Sequence, residues 1–407
     1  MRTPWRTRGG LLRGAVAVAA GALLVPLAGC GGGRTGEAAA PSATPPSAAT
    51  TADPAPAAPS TPAPGASCVE RTLAGLDPAA RIGQLLLVGG EATDPAGGLT
   101  EIGDVPVGGV FLRGRSSAGA EAVGAAVAQL HGTSSVPLQI AVDQEGGAVQ
   151  TLKGPGFDLL PSALEQGRQP PDQLRATVAG WARQLRDAGV TMDLAPVADT
   201  VPAGTEDANP PIGAFSRQYG SDPAVVAAAV TAVVAGLQDA GVAATVKHFP
   251  GLGRVDVNTD TDAGATDPET NPDDPHLQPF AAAVTAGTAA VMVSSASYPQ
   301  LDPDRPAVFS PAVLGLLRER LGFPGVVVTD DLGAAAALAA VPVGQRAVDA
   351  VAAGVDVVLT VRTGDAAPMA GALAERAAAD PAFAARVEAS ALRVLALKER
   401  FGLLTCD

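Results

Sequence analysis

Lys247-His248-Phe249-Pro250-Gly251-Leu252-Gly253 directly follows the apolar run Val242-Ala243-Ala244-Thr245-Val246. A short, continuous apolar run with β-branched members reads as a strand buried on both faces. A Lys-His pair at its carboxyl end, followed by a glycine-rich turn, is how an α/β barrel presents a pocket. The same construction recurs with acids. Asp143-Gln144-Glu145-Gly146-Gly147 follows Leu138-Gln139-Ile140-Ala141-Val142, and Asp330-Asp331 follows Val326-Val327-Val328-Thr329. Polar groups at several strand ends suit a polyhydroxylated ligand, with a carboxylate available for chemistry.

Strand-like runs recur at Ile82–Val88, Gly109–Leu112, Leu138–Asp143, Met192–Ala198, Ala243–His248, Ala289–Ser294, Gly325–Asp330 and Val355–Thr360. Alanine-rich segments of helical periodicity lie between them, among them Ala118–His131, Leu174–Ala188, Pro223–Ala240 and Val313–Leu321. This alternation predicts a single (β/α)8 TIM barrel over residues 68–407. An open doubly wound sheet is the alternative. It would gather its ligand groups at one switch point, whereas here polar residues end most of the runs. A turn-rich acidic insertion, roughly 258–275, separates the fifth run from the sixth. Its place on the carboxyl face makes it a candidate lid. Most of its acids read as solvated.

Residues 1–29 carry Arg2, Arg6, Arg8 and Arg13, then an apolar run to Leu27. This is the pattern of a signal segment, and it stands apart from the fold. It ends in Leu27-Ala28-Gly29-Cys30, which resembles a bacterial lipobox with Cys30 as the lipidated residue. A membrane-spanning helix fits less well, because the run is short and contains Gly21 and Pro26. Residues 30–67 are rich in Pro, Ala and Thr with few large apolar side chains, so they read as a disordered tether. Together these features predict a protein held on the outer face of the bacterial cell membrane. Cys68 and Cys406 stand at the two extremes of the folded part, where an oxidising compartment permits a disulfide.

The formal net charge is −14, and the four arginines of residues 1–29 belong to the signal segment. Such acidity argues against a nucleic-acid partner. Aromatic residues are only 3%, which disfavours a long stacking platform for a polysaccharide and favours a pocket for one sugar. A monomer is expected. No metal or organic cofactor is implied.

The folded part resembles the catalytic barrel of glycoside hydrolase family 3, in its β-N-acetylglucosaminidase branch. The matching stretches are Ile82-Gly83-Gln84-Leu85-Leu86, Gly108-Gly109-Val110, Ala141-Val142-Asp143-Gln144-Glu145-Gly146-Gly147, Leu194-Ala195-Pro196-Val197-Ala198-Asp199, Lys247-His248-Phe249-Pro250-Gly251, and Leu321-Gly322-Phe323 leading to Val328-Thr329-Asp330-Asp331-Leu332. The resemblance implies that Asp330 is the nucleophile of a retaining exo-hydrolase. It further implies that Asp143, Arg217, Lys247 and His248 grip the sugar hydroxyls. Asp199 is expected to organise the loop after the fourth strand. A strand-end acid can also cap the next helix, and Asp331 is the better candidate for that.

The sequence departs from the family at the proton donor. Where the branch carries an aspartate and, two residues on, an acid/base histidine, this chain has Asn258 and Asp260. Leu252, Ala148 and Thr151 also replace family residues. Asp260 is therefore the expected proton donor, its carboxyl held by the Asn258 amide, with Asp262 and then Glu145 as rivals. The expected activity is release of terminal β-N-acetylglucosamine from cell-wall or chitin-like fragments. A β-glucosidase-type enzyme and a degenerate barrel that binds sugar without cleaving it are the alternatives.

Overall fold

A computed structural model describes residues 67–405, apart from 95, 96, 98, 99, 101 and 133. The signal segment, Cys30, the tether up to residue 66 and Cys406 lie outside the described residues, and so does the proposed Cys68–Cys406 pairing.

The barrel strands are β1 (Leu86–Glu91), β2 (Gly109–Arg113), β3 (Gln139–Val142), β6 (Met192–Asp193), β7 (Ala243–Phe249), β8 (Ala290–Val293), β9 (Val326–Thr329) and β10 (Val358–Thr360). A hairpin of β4 (Gln144–Gly146) and β5 (Val149–Gln150) is inserted after β3. The eight barrel strands form one sheet in the order β10-β1-β2-β3-β6-β7-β8-β9, and their pairings are parallel. A parallel bridge from Val328 to Val357 brings β9 back to the start of β10, so the sheet closes as a (β/α)8 barrel.

Period-two alternation sorts each strand between two apolar environments. Val326 and Val328 pack inside with Leu87, Phe111, Ala141, Met192 and Met292, while Val327 joins the layer between sheet and helices. Both faces being apolar is what makes the strands read as unbroken hydrophobic runs. Outside, the helix Pro223–Asp239 packs between Pro171–Asp187 and Gln278–Thr285. Gly236 permits the first of these approaches, since a Cβ there would meet the Arg175 carbonyl oxygen at 2.7 Å.

Each predicted strand overlaps an observed one, with corrected limits. Ile82 and Gly83 end a helix, Pro78–Gly83, capped by the Asp77 carboxylate. The fourth strand is only Met192–Asp193, because Pro196 cannot donate to a ladder; one bridge, Val197 to Lys247, continues it. Val313–Leu321 splits into an α-helix, Pro311–Gly315, and a π-helix, Leu316–Arg320. The alanine-rich run after Asp331 forms only a 3-10 turn, Ala336–Leu338.

Candidate active site

Period two in the extended run after β3 puts Asp143 and Glu145 on one side of the chain. Gly146 and Gly147, at φ of 101° and 55°, then turn the backbone away into the hairpin. A Cβ on Gly146 would meet the Pro161 carbonyl oxygen at 2.2 Å, so only glycine lets the chain pass there. Lys247 and His248 lie in the last residues of β7, and Asp330 directly follows β9. These strand ends and two loops enclose a cavity of about 370 Å³. Its lining includes Asp143, Arg217, Lys247, His248, Asn258, Asp260, Asp330 and Asp331. A larger hollow of about 620 Å³ lies near the amino-terminal ends of β2 and β3, lined by Ile102, Val105, Gln129 and Leu138. Among the described residues its lining holds a single acid, Asp104, and no cation. In a barrel the chemistry belongs to the opposite face.

One side of the cavity is a closed network of charge-assisted hydrogen bonds. Lys247 Nζ donates to Asp143 Oδ1 at 2.6 Å and is paired with Glu145 Oε1 at 2.7 Å. Arg217 grips Glu145 with two donors, Nε to Oε2 at 2.8 Å and Nη2 to Oε1 at 2.7 Å, and donates Nη1 to the Pro211 carbonyl. Burial alone would raise the Glu145 pKa. The charges of Arg217 and Lys247 and their hydrogen bonds outweigh it, holding Glu145 well below the usual carboxylate range. Burial likewise pulls the Lys247 ammonium down, and Asp143 and Glu145 overcome that and hold it above its ordinary value. His248 donates Nδ1–H to Asp199 Oδ2 at 2.7 Å and turns Nε2 toward Arg217 Nη2 at 3.5 Å. Asp199, fully buried, also accepts from the backbone N–H groups of His248 and Leu252. It therefore ties the loop after β6 to the turn after β7.

The other side is acidic. The Asp330 carboxylate accepts from the Asp331 N–H at 2.9 Å, and Asp331 accepts from the N–H groups of Gly333, Ala334 and Val361. Asp331 is thus spent on backbone, as a cap would be, while half-buried Asp330 faces the cavity. Burial, opposed by those three bonds and helped by the Asp330 charge, raises the Asp331 pKa.

Asp260 lines the same cavity from the loop after β7. That loop is anchored at several points. Asn209 donates to the Leu252 and Val255 carbonyls, and Arg254 pairs with Asp274. The N–H groups of Ala336 and Ala337 donate to the Asp260 and Thr259 carbonyls, so the loop rests on the segment just beyond Asp330. Asp260 is exposed as a residue, yet protein atoms crowd its carboxyl. That desolvation, then the Asp330 and Asp331 charges, push its pKa up to about 6 against the pull of His248 and Arg217.

All of the predicted gripping and reacting residues therefore line one cavity, with Asp199 directly behind His248. Two expectations are corrected. The Asn258 side chain holds Asp260 by accepting from its backbone N–H at 2.9 Å, since a two-residue spacing suits a local Asx turn better than a bond to the carboxyl. Glu145 is no rival as proton donor, because its two cations keep it ionised. Asp262 lies off the cavity and accepts from Thr261 Oγ1. Two acids carried more weight than the sequence suggested. Glu145 is the shared anion of the network, signalled only by its i+2 spacing from Asp143. Asp193, buried below it, accepts from the Gln144 N–H, and burial pushes its pKa up to about 8. Nothing in the chain flagged Asp193, which reads as one more member of a buried run.

Residues 79–397 match the glycosyl hydrolase family 3 N terminal domain. The chain is 32% identical over 388 residues to the β-hexosaminidase LpqI of Mycobacterium tuberculosis, covering 94% of this chain and 96% of that protein. It is 39% identical over 265 residues to a β-hexosaminidase of Stenotrophomonas maltophilia, covering 62% and 76%. Among solved structures, the β-N-acetylhexosaminidase of Beutenbergia cavernae superposes with a TM-score of 0.78 at 47% identity, over 80% of this chain and 99% of that one.

Proposed function

We propose, from the premise that the chain belongs to glycosyl hydrolase family 3, that it releases terminal β-linked N-acetylglucosamine from cell-wall or chitin-like fragments with retention of configuration. The reading rests on one observation: a single cavity gathers Asp330 and Asp260 with Asp143, Arg217, Lys247 and His248. Relatives named β-hexosaminidase support the choice of sugar.

In this reading Asp330 attacks C1 and forms a glycosyl-enzyme, while Asp260 gives its proton to the leaving oxygen. Water then enters, Asp260 takes its proton, and the sugar leaves with its configuration retained. A proton donor works best with a pKa near the working pH, and a value near 6 meets that need where an ordinary aspartate would not. The interlocked cations and carboxylates hold the ring hydroxyls. Ahead of the barrel, we propose a cleaved signal segment, a lipid on Cys30 and a flexible tether over 30–67. A Cys68–Cys406 bridge would staple the closure. The helix Cys68–Gly75 packs on the helix Pro381–Arg400, so the first and last helices of the barrel domain are neighbours.

A panel of aryl β-glycosides differing only in the sugar tests the function. Preferential turnover of the N-acetylglucosaminide is expected. Preference for the glucoside would make the enzyme a glucosidase. Binding of N-acetylglucosamine without turnover of any member would make it a non-catalytic sugar-binding barrel.

A further inference from the structure

Glu145 stands outside the lining of the cavity, yet it is 5% exposed and bonded to two residues that do line it. Its Oε1 is shared by Arg217 Nη2 and Lys247 Nζ, both at 2.7 Å, and its Oε2 takes Arg217 Nε. The planar guanidinium is thereby fixed in a two-point fork, which sets its plane as well as its place. Lys247 is fixed between Glu145 and Asp143, leaving one ammonium hydrogen for a hydroxyl. The anion is itself held. Gln166 donates to its carbonyl oxygen, and the glycine turn after it is packed against Pro161. Without this anion the buried Lys247 and half-buried Arg217 would face each other as like charges.

Resting on the sugar-cleaving reading, we propose that Glu145 is the positioning residue of the sugar-gripping wall: a buried anion that sets the Arg217 fork and the Lys247 ammonium together and so fixes how the sugar enters. It acts through those two side chains and touches no reacting atom.

The test compares the intact protein with Glu145→Gln and Glu145→Asp. The readouts are calorimetric binding of N-acetylglucosamine, kcat and KM on an aryl N-acetylglucosaminide, and the pH profile. In Glu145→Gln the fork loses its anion, and binding should weaken about 10- to 100-fold, with KM rising more than kcat falls. Removing that negative charge also leaves Arg217 less compensated. Of the charged groups around Asp260 (Asp330, Asp331, His248 and Arg217), Arg217 then pulls harder, so the alkaline limb of kcat/KM should move to lower pH. Glu145→Asp keeps the charge and shortens the reach. It should recover part of the affinity and leave the alkaline limb in place, an outcome that a purely structural defect would not give.

A folded Glu145→Gln with affinity and limb unchanged overturns the proposal. Should that variant fail to fold, Glu145→Asp decides, and affinity within about twofold of the parent overturns it. If the parent protein neither binds nor cleaves N-acetylglucosaminides, it is the sugar reading that falls. Glu145 is then judged by its effect on whichever sugar the glycoside panel identifies.

Discussion

On one side of the cavity Lys247, Arg217, Asp143 and Glu145 neutralise one another at 2.6–2.8 Å. On the other, Asp260, Asp330 and Asp331 face each other, and none forms an ion pair with a cation among the described residues. The first wall has its electrostatics settled before a sugar arrives. The Glu145 carboxylate and the Lys247 and Arg217 cations keep their charges at ordinary pH. The second wall desolvates acids close together and leaves them uncompensated, so Asp260 and Asp331 are pushed toward the neutral form. Binding needs groups that do not change, and acid/base chemistry needs a proton that moves. The two walls meet those needs by pairing charges in one place and leaving them unpaired in the other.

The contrast breaks most visibly at Asp330. Asp330→Ala should lower kcat by about 10³-fold or more with an unchanged far-ultraviolet spectrum, since no other free carboxylate stands at the end of β9. Asp331 would not substitute, because its oxygens are occupied by three backbone N–H groups. Near-parental kcat would remove Asp330 from the chemistry.

Asp260→Ala should come next. In kcat/KM, which reports formation of the glycosyl-enzyme, substrates with poor leaving groups should slow by about 10²- to 10³-fold, and activated aryl glycosides by far less. A general acid must be protonated. With its pKa at about 6, parental kcat/KM should therefore fall as pH rises through that region, and the variant should lose this limb. Equal loss on both substrate types would mean that Asp260 carries no proton.

The paired wall responds differently. Arg217→Lys keeps the charge and loses the fork, so kcat/KM should drop about 10- to 100-fold through KM, with the pH profile unmoved. A shifted profile would show that the fork's geometry, and not only its charge, acts on Asp260.

The smallest effect is on stability. Asp193 has its folded pKa raised to about 8, so between its ordinary value and 8 the native state holds one more proton than the unfolded chain. Its contribution is therefore lost as pH rises across that window, with a slope of up to about 1.4 kcal/mol per pH unit. Asp193→Asn retains an oxygen for the Gln144 N–H and should flatten the slope in urea titrations from about pH 5 to 8. An unchanged slope would refute this account of Asp193.

The barrel was legible because both faces of its strands are apolar, which leaves runs such as Val326-Val327-Val328 unbroken. The walls were legible where a polar residue stands immediately after such a run, as with Lys247 and Asp330. Partners were not legible. Glu145 meets Arg217 across 72 residues of chain, and no local pattern announces that pairing. Asp193 is hidden by its own strand, which is shorter than its apolar stretch because Pro196 interrupts the ladder. The alanine-rich run after Asp331 forms only a short 3-10 turn. Alanine favours helix, but there the Asp331 carboxylate and the loop carrying Asp260 claim the backbone N–H groups first.

The most direct test of the division between the walls is to trap the intermediate. Asp260→Ala, mixed with an activated aryl N-acetylglucosaminide, should glycosylate quickly and release sugar slowly, because no base remains to activate water. Acid quenching, proteolysis and mass spectrometry should then find one N-acetylglucosaminyl adduct, on the peptide containing Asp330. Turnover with no adduct and with inverted product, or an adduct on any other carboxylate, would contradict it.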